Sequence, residues 1–298
     1  MEKYNFSIDL YFDWIEMLKD ELKKWDYGKE SVDSREELCH KYFNLMKRLI
    51  FPQEREVIKS DEFTYPQKPK YKKGVKLIEN KIKCGKNIIP HLSSKIENFD
   101  YDDAMLNDWG VYHLHLGSKT ISSGYFMERT GPLLFVYFTE RKAYFIDIME
   151  HGDWAKKEII EIIHKNWPEI IKSHKLKGIE GMKYKPTEKN RKEFRNAGLS
   201  TFVELDDGTV YAPIGGGYST TGLSIDVVRL CIMYKNKLEQ HEDYFKNNLE
   251  EIVSTIKNHK GSLPDKLDFT LDIDREKEVF YVVETNSKIK FNIGNLEF

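Results

Sequence analysis

Three apolar runs between Asp108 and Trp154 restrict the fold more than any other part of the chain. Val111–Leu116, Leu133–Thr139 and Ala143–Met149 are rich in valine, isoleucine, tyrosine and phenylalanine. Such side chains suit a pleated, half-buried surface. Glu140-Arg141-Lys142 is a hairpin-length link between the second and third runs. The expectation is an antiparallel sheet at the centre of the chain. Strand side chains alternate with period 2, so His113 and His115 share one face. Tyr112, Leu114 and Leu116 then share the other. Arg129 precedes the second strand, and His151 and Asp153 follow the third.

The flanks are more helical. Helical spacing of Leu10, Ile15, Leu18 and Leu22 predicts a helix over 7–26, capped by Ser7 or Asp9. A second helix is predicted over Ser34–Leu49, with Ser34 and Glu37 as a capping box. Residues 51–74 hold Pro52, Pro66, Pro69 and the run KPKYKKG, and read as a linker or long loop. Shorter helices are expected at Val75–Lys83, within Ile88–Asn98 and at Asp102–Asn107. Another is expected at Trp154–His164, and a last short one at Glu188–Asn196. Asp206-Asp207-Gly208 marks a hairpin between Thr201–Leu205 and Thr209–Ala212. Gly215–Gly217 reads as a flexible turn. A long helix follows from Leu223 to about His259, with a break near His241. Strands Leu267–Ile273, Val279–Glu284 and Ile289–Asn292 close the chain as a meander. The predicted class is α+β: a helical N-terminal region (1–50), the linker (51–74), a central antiparallel sheet domain (75–175) and a C-terminal α+β part (176–298).

Charge excludes little but constrains partners. The 298 residues carry 47 basic and 49 acidic side chains, a net of −2. That balance gives no global attraction to nucleic acid, although Lys68–Lys86 forms a local basic stretch. Cys39, Cys84 and Cys231 have no zinc or disulfide spacing, which fits a reducing cytoplasm. The N-terminal stretch lacks a signal-like apolar segment, and no run approaches the roughly 18–20 apolar residues of a membrane span. No membrane partner is expected.

The central segment resembles the RelE/HigB ribonuclease toxins over Val75–Trp154. The resemblance rests on His113-Leu-His115-Leu-Gly, on Arg129-Thr-Gly-Pro-Leu-Leu-Phe-Val-Tyr, and on Ala143-Tyr-Phe-Ile-Asp-Ile-Met-Glu-His151, in that order. Histidines stand where that family mostly carries arginine and lysine. The resemblance implies RNA as substrate and an antitoxin or other protein as partner. Metal-independent RNA cleavage needs a base, an acid and a cation for the phosphorane charge. His113, His115 and His151 are the expected base and acid, with Arg129 as the cation. Trp109, Tyr112 and Tyr125 are expected to stack an unpaired base. No cofactor or metal is needed.

Other readings compete. His113-x-His115 with His151 or Asp153 has the residue types of a zinc or iron site. Tyr218-Ser219-Thr220-Thr221 resembles the aromatic–Ser–Thr–Ser strand of ADP-ribosyltransferases, with His115 upstream and Glu284 downstream. In the simpler reading of those hydroxyls, Ser219, Thr220 or Thr221 caps the following helix. Arg35-Glu-Glu-Leu-Cys-His40 resembles the Arg-x4-His hexamer of HEPN-type ribonucleases. A non-catalytic binding module is the remaining alternative.

Overall fold

The computed structural model describes residues 4–25, 34–121, 124–179, 181–277 and 279–295. The class is α+β. The chain divides into two compact units, Met1–Phe43 with Arg229–Phe298, and Asn44–Val228. Residues 1–43 and 229–298 belong to one body, and the residues between them to the other.

The unit of the two ends is built on a four-stranded sheet. Its order is Phe6–Ile8, Leu267–Asp274, Val279–Glu284, Ile289–Asn295. The last three strands are antiparallel, as expected. Phe6–Ile8 adds a parallel edge strand from the start of the chain. Helix Leu10–Lys23 follows directly, with Asp9 accepting from the Phe12 amide at 2.8 Å. Ser34 and Glu37 form the expected reciprocal cap, with bonds of 3.2 and 2.7 Å. The long C-terminal helix breaks at Asn248 rather than near His241, giving Ile225–Asn247 and Leu249–Lys260. Trp14, Phe43 and Tyr234 stack within 6 Å of one another at the centre of this unit.

The Asn44–Val228 unit contains the central sheet, ordered Glu56–Lys59, Lys142–Glu150, Pro132–Phe138, Val111–His115. The three predicted strands form within a residue or two of expectation and pair antiparallel. The sheet is nevertheless mixed, because Glu56–Lys59 lies parallel to Lys142–Glu150. The expected 51–74 linker is therefore partly structure. It contributes this edge strand, and helix Pro69–Lys83 begins inside it. A proline at the first turn loses no helical hydrogen bond, so Pro69 starts the helix where it was expected to prevent one.

One face of the sheet packs against helix Glu158–Asn166. Val111, Leu133, Phe135, Ile146, Ile159 and Ile163 are among the members of that core. Two glycines set close backbone approaches around the histidine strand. A Cβ at Gly74 would sit 1.9 Å from the carbonyl oxygen of Leu116, and one at Gly215 would sit 2.1 Å from that of Leu106. Gly215 is thus a packing contact, and its amide donates to Asp108 O at 3.0 Å. Gly74→Ala should cost about 1–3 kcal/mol, because the clash is with backbone and the helix must move away from the strand. Urea unfolding checks this: an unchanged midpoint would show that the helix is not held there.

The Asp207-Gly208 hairpin forms as expected, with Gly208 at φ +83° and a 2.8 Å bond from the Leu205 amide to Thr209 O. Tyr218–Thr221 does not cap a helix. Tyr218 bridges to Ser224, the Gly222 amide donates to Ser219 O at 2.9 Å, and the helix begins only at Ile225. The hydroxyls close a tight turn on themselves, Ser219 to Thr221 at 2.8 Å, instead of reaching helix amides. Among the described residues, no helix is long and apolar enough to cross a membrane.

Candidate active site

The alternation read from sequence places Leu114 and Leu116 in the core, at 0% and 1% exposure. It turns His113 and His115 to the other side, where they line a cleft of about 610 Å³ in the Asn44–Val228 unit. Arg129 and His151 line the same cleft. Residues spread over 39 positions of chain, from 113 to 151, therefore meet, because the three strands that carry them are neighbours in the sheet.

His115 is 5% exposed. Its Nδ1 accepts from the Thr130 amide at 3.4 Å. The ring proton then belongs on Nε2. Burial pushes its pKa down to about 4, and His113, Arg129, His151 and His91 add to the effect. His115 is thus a neutral imidazole at neutral pH, holding its tautomer through the backbone. It can donate an N–H, but with Nδ1 occupied it is poorly set to take a proton. Its carbonyl oxygen receives the Nδ1–H of His91 at 2.9 Å, and His91 Nε2 receives Lys81 Nζ at 3.2 Å. Burial holds His91 near 4 as well.

His113 has a different partner. Its Nδ1 lies 3.7 Å from Asp103 Oδ2, and the nitrogen is buried with no closer partner among the described residues. Asp103 is fixed independently, because its Oδ1 caps helix Ala104–Trp109 through the Leu106 amide at 3.0 Å. Burial lowers the His113 pKa, Asp103 raises it, and His151 and Lys95 lower it further; the net direction is down. Trp154 meets both His113 and His151 edge-on, at 4.8 and 4.6 Å between ring centres. His151 itself is exposed, in the turn after its strand.

Cations outnumber anions around the cleft. Arg129, Lys95, Lys192 and Arg195 face Asp102 and Asp103. Arg129 donates to Ser94 Oγ at 2.7 Å. Lys95 lies 4.7 Å above the Tyr101 ring. Arg195 binds the buried Asp108 at 2.8 Å, donates to the Trp154 carbonyl and stacks 4.1 Å over Trp109. Burial raises the pKa of Asp102, against the pull of Arg48 and Lys47.

The aromatic residues expected to stack a base do not line the cleft. Trp109 is 1% exposed, packed in the sheet core under Arg195, and is corrected to a core residue. Tyr112 lies on the opposite strand face, donating to Lys47 O at 2.7 Å and packing against Phe138. Tyr125 is exposed and near Asn87, outside the cleft. Tyr101 and Trp154 line it instead. Sequence reasoning passed over both, and over Asp103, Lys95 and Arg195. Asp103 had a legible signal, as an N-cap residue ahead of a short helix. Arg195 had none, since the helix Glu188–Asn196 gave no hint of where it docks.

The competing sites do not assemble. Among the described residues no group of three or more His, Cys, Asp or Glu side chains is placed to hold a metal ion. Asp153 instead caps its own turn, accepting from the Glu150 amide and Lys156. Glu284 is 0% exposed, and its carboxylate accepts from the amides of Ser287, Asn286 and Asp268. That carboxylate terminates a strand and is not free to act on a substrate. In the Arg35-x4-His40 hexamer, Arg35 is paired with Asp9 at 3.0 Å and lies over Phe12, while His40 is raised by its hydrogen bond to Cys231. No family model, curated protein or solved structure matches the chain.

Proposed function

We propose that the Asn44–Val228 unit is a metal-independent endoribonuclease. The observation that carries the reading is the meeting of His113, His115, His151 and Arg129 in one cation-rich cleft. A concave site with excess positive charge suits a phosphodiester. The imidazoles divide the work by their surroundings. His113, with Asp103 behind Nδ1, presents Nε2 as the base that takes the 2′-hydroxyl proton. The 2′-oxygen attacks phosphorus, and the bond to the 5′-oxygen breaks. His151, exposed in the turn after its strand, gives its proton to that leaving oxygen. The His115 Nε2–H and the Arg129 guanidinium stabilise the charge on the non-bridging oxygens. The products are a 2′,3′-cyclic phosphate and a free 5′-hydroxyl. Of the three histidines expected as base and acid, His113 is thus the base and His151 the acid.

The RelE/HigB resemblance of residues 75–154 agrees with this chemistry and extends it to a toxin or phage-defence role with a protein antitoxin. A cytoplasmic location goes with it, since Cys39, Cys84 and Cys231 are all free thiols.

Incubation with a defined single-stranded RNA tests the activity. Cleavage should persist in excess chelator and leave cyclic phosphate ends. Arg129→Lys should lower kcat/KM roughly tenfold or more, because lysine keeps the charge but loses the planar fork. Activity abolished by chelator, or no cleavage of any RNA offered, overturns the reading. Growth arrest on expression, relieved in the His113→Ala variant, is the expected result for the toxin role.

A further inference from the structure

We propose that Cys39 and Cys231 form a peroxide-sensitive dithiol, which a hydroperoxide oxidises to an intramolecular disulfide with His40 handling the proton. The site lies wholly within the unit of the two chain ends and is independent of the ribonuclease reading. Cys39 stands on helix Arg35–Arg48 and Cys231 on helix Ile225–Asn247. These helices touch on either side of Cys39. Glu36, one turn before it, pairs with Lys235, one turn after Cys231, at 3.1 Å. Phe43, one turn after Cys39, stacks on Tyr234 with 5.5 Å between ring centres. Between these contacts the two thiols hydrogen-bond to each other, and His40 hydrogen-bonds to Cys231. In sequence, the whole of Asn44–Val228 lies between the two cysteines, so a disulfide there closes a covalent loop around that entire insertion.

Two features separate this pair from ordinary buried cysteines, which pack as small apolar side chains and are inert. The first is contact. Sulfurs already within hydrogen-bond reach need little backbone movement to be bridged. The second is a division of roles. The Cys39 S–H and the His40 N–H donate to the Cys231 sulfur, and these bonds lower the Cys231 pKa against the effect of burial. Cys39 is pushed up by the same bond and by burial. His40 is raised by Cys231, with Glu36 and Glu37 adding to the effect. Tyr11, which faces both thiols, is held protonated by burial, and Lys235 lies 5.4 Å over its ring. Cys39 is 0% exposed, while Cys231 keeps 6% and has the half-buried His40 beside it. Cys231 is therefore the thiolate that meets the peroxide. It attacks one peroxide oxygen and the O–O bond breaks. The departing hydroxide takes the His40 proton and leaves as water, and Cys231 becomes a sulfenic acid. The Cys39 sulfur then attacks the Cys231 sulfur and the S–O bond breaks. The hydroxyl leaves as a second water with the Cys39 proton. The two thiols lose two electrons in all, and the peroxide gains them.

The test treats the full, reduced chain with hydrogen peroxide, blocks the remaining thiols by alkylation and reads the peptides by mass spectrometry. A Cys39–Cys231 disulfide should form and be reversed by dithiothreitol. At the same dose Cys84, which is exposed and outside the pair, should still alkylate. Cys39→Ser should stop at a sulfenic acid on Cys231, trapped by dimedone. His40→Gln should form the disulfide roughly tenfold or more slowly, with its rate rising only at higher pH, because the thiolate has lost its donor and the leaving oxygen its acid. Both cysteines remaining thiols while Cys84 oxidises would overturn the proposal. So would a disulfide that forms only once urea has unfolded the chain. Equal rates and pH profiles for His40→Gln and wild type would overturn the proton step. Thiols that resist alkylation until a chelator is added would overturn the pair in favour of a metal site.

Discussion

His113→Ala is expected to lower the rate of RNA cleavage roughly 10²–10⁴-fold, the usual worth of a positioned base, with the protein still folded. The companion variant is Asp103→Asn. Asparagine caps a helix as well as aspartate, so the Leu106 amide keeps its acceptor and helix Ala104–Trp109 is preserved. What is lost is the negative charge 3.7 Å from His113 Nδ1. In the proposed mechanism Asp103 is a positioning residue: it touches no substrate and acts through the ring. Its removal should therefore act mainly on kcat, with KM little changed. Of the groups facing His113, Asp103 raises its pKa, while His151 and Lys95 lower it. Without Asp103 the imidazole loses its proton more easily, and the acid limb of kcat/KM should shift to lower pH. Wild type already holds His113 below the ordinary 6.5, so its own acid limb should lie below that value. Nitrogen NMR of the imidazoles reads the same shift without any substrate. An Asp103→Asn protein with unaltered His113 titration and unaltered pH profile would remove Asp103 from the mechanism.

A second large effect is expected on stability. His91 and His115 both have folded pKa values near 4, against 6.5 for an unperturbed imidazole, because burial disfavours the charged ring. A base whose folded pKa is depressed binds protons more weakly folded than unfolded. Its contribution is complete above the unfolded value and is lost as pH falls from 6.5 toward 4. By pH 5 each should have cost roughly 2 kcal/mol relative to pH 7.5, as an order of magnitude. Asp102 and Asp108, whose pKa values burial raises, push in the opposite direction. The informative quantity is therefore a difference. His91→Gln, which loses one titrating ring, should show a shallower fall in urea stability between pH 7.5 and 5 than wild type. Parallel curves for the two proteins would mean that His91 is not held neutral by the fold.

Much of the central sheet was legible because it is local. Val111–His115, Pro132–Phe138 and Lys142–Glu150 carry period-2 apolar patterns joined by short links. The alternation also put His113 and His115 on one face, since Leu114 and Leu116 take the core. The Asp207-Gly208 turn and the Ser34–Glu37 cap were read from neighbouring residues for the same reason. Glu56–Lys59 and Phe6–Ile8 were not. Each is short, and each is a strand only because a distant edge accepts it, at Lys142–Glu150 and at Leu267–Asp274.

The candidate site divides along the same line. By itself the sequence determined which residues could do acid, base and phosphate chemistry and which face of a strand they occupy, because side-chain type and backbone period are local properties. Only the tertiary structure decided the surroundings from which their roles are proposed. Burial keeps His115 neutral, the Thr130 amide fixes its tautomer, and Asp103 backs His113. Packing over Asp108 and Trp109 brings Arg195 to the cleft, and burial takes Trp109 out of it. Hydrogen bonds, desolvation and charge proximity set those roles, and all three depend on which distant segments the folded chain brings within a few ångströms.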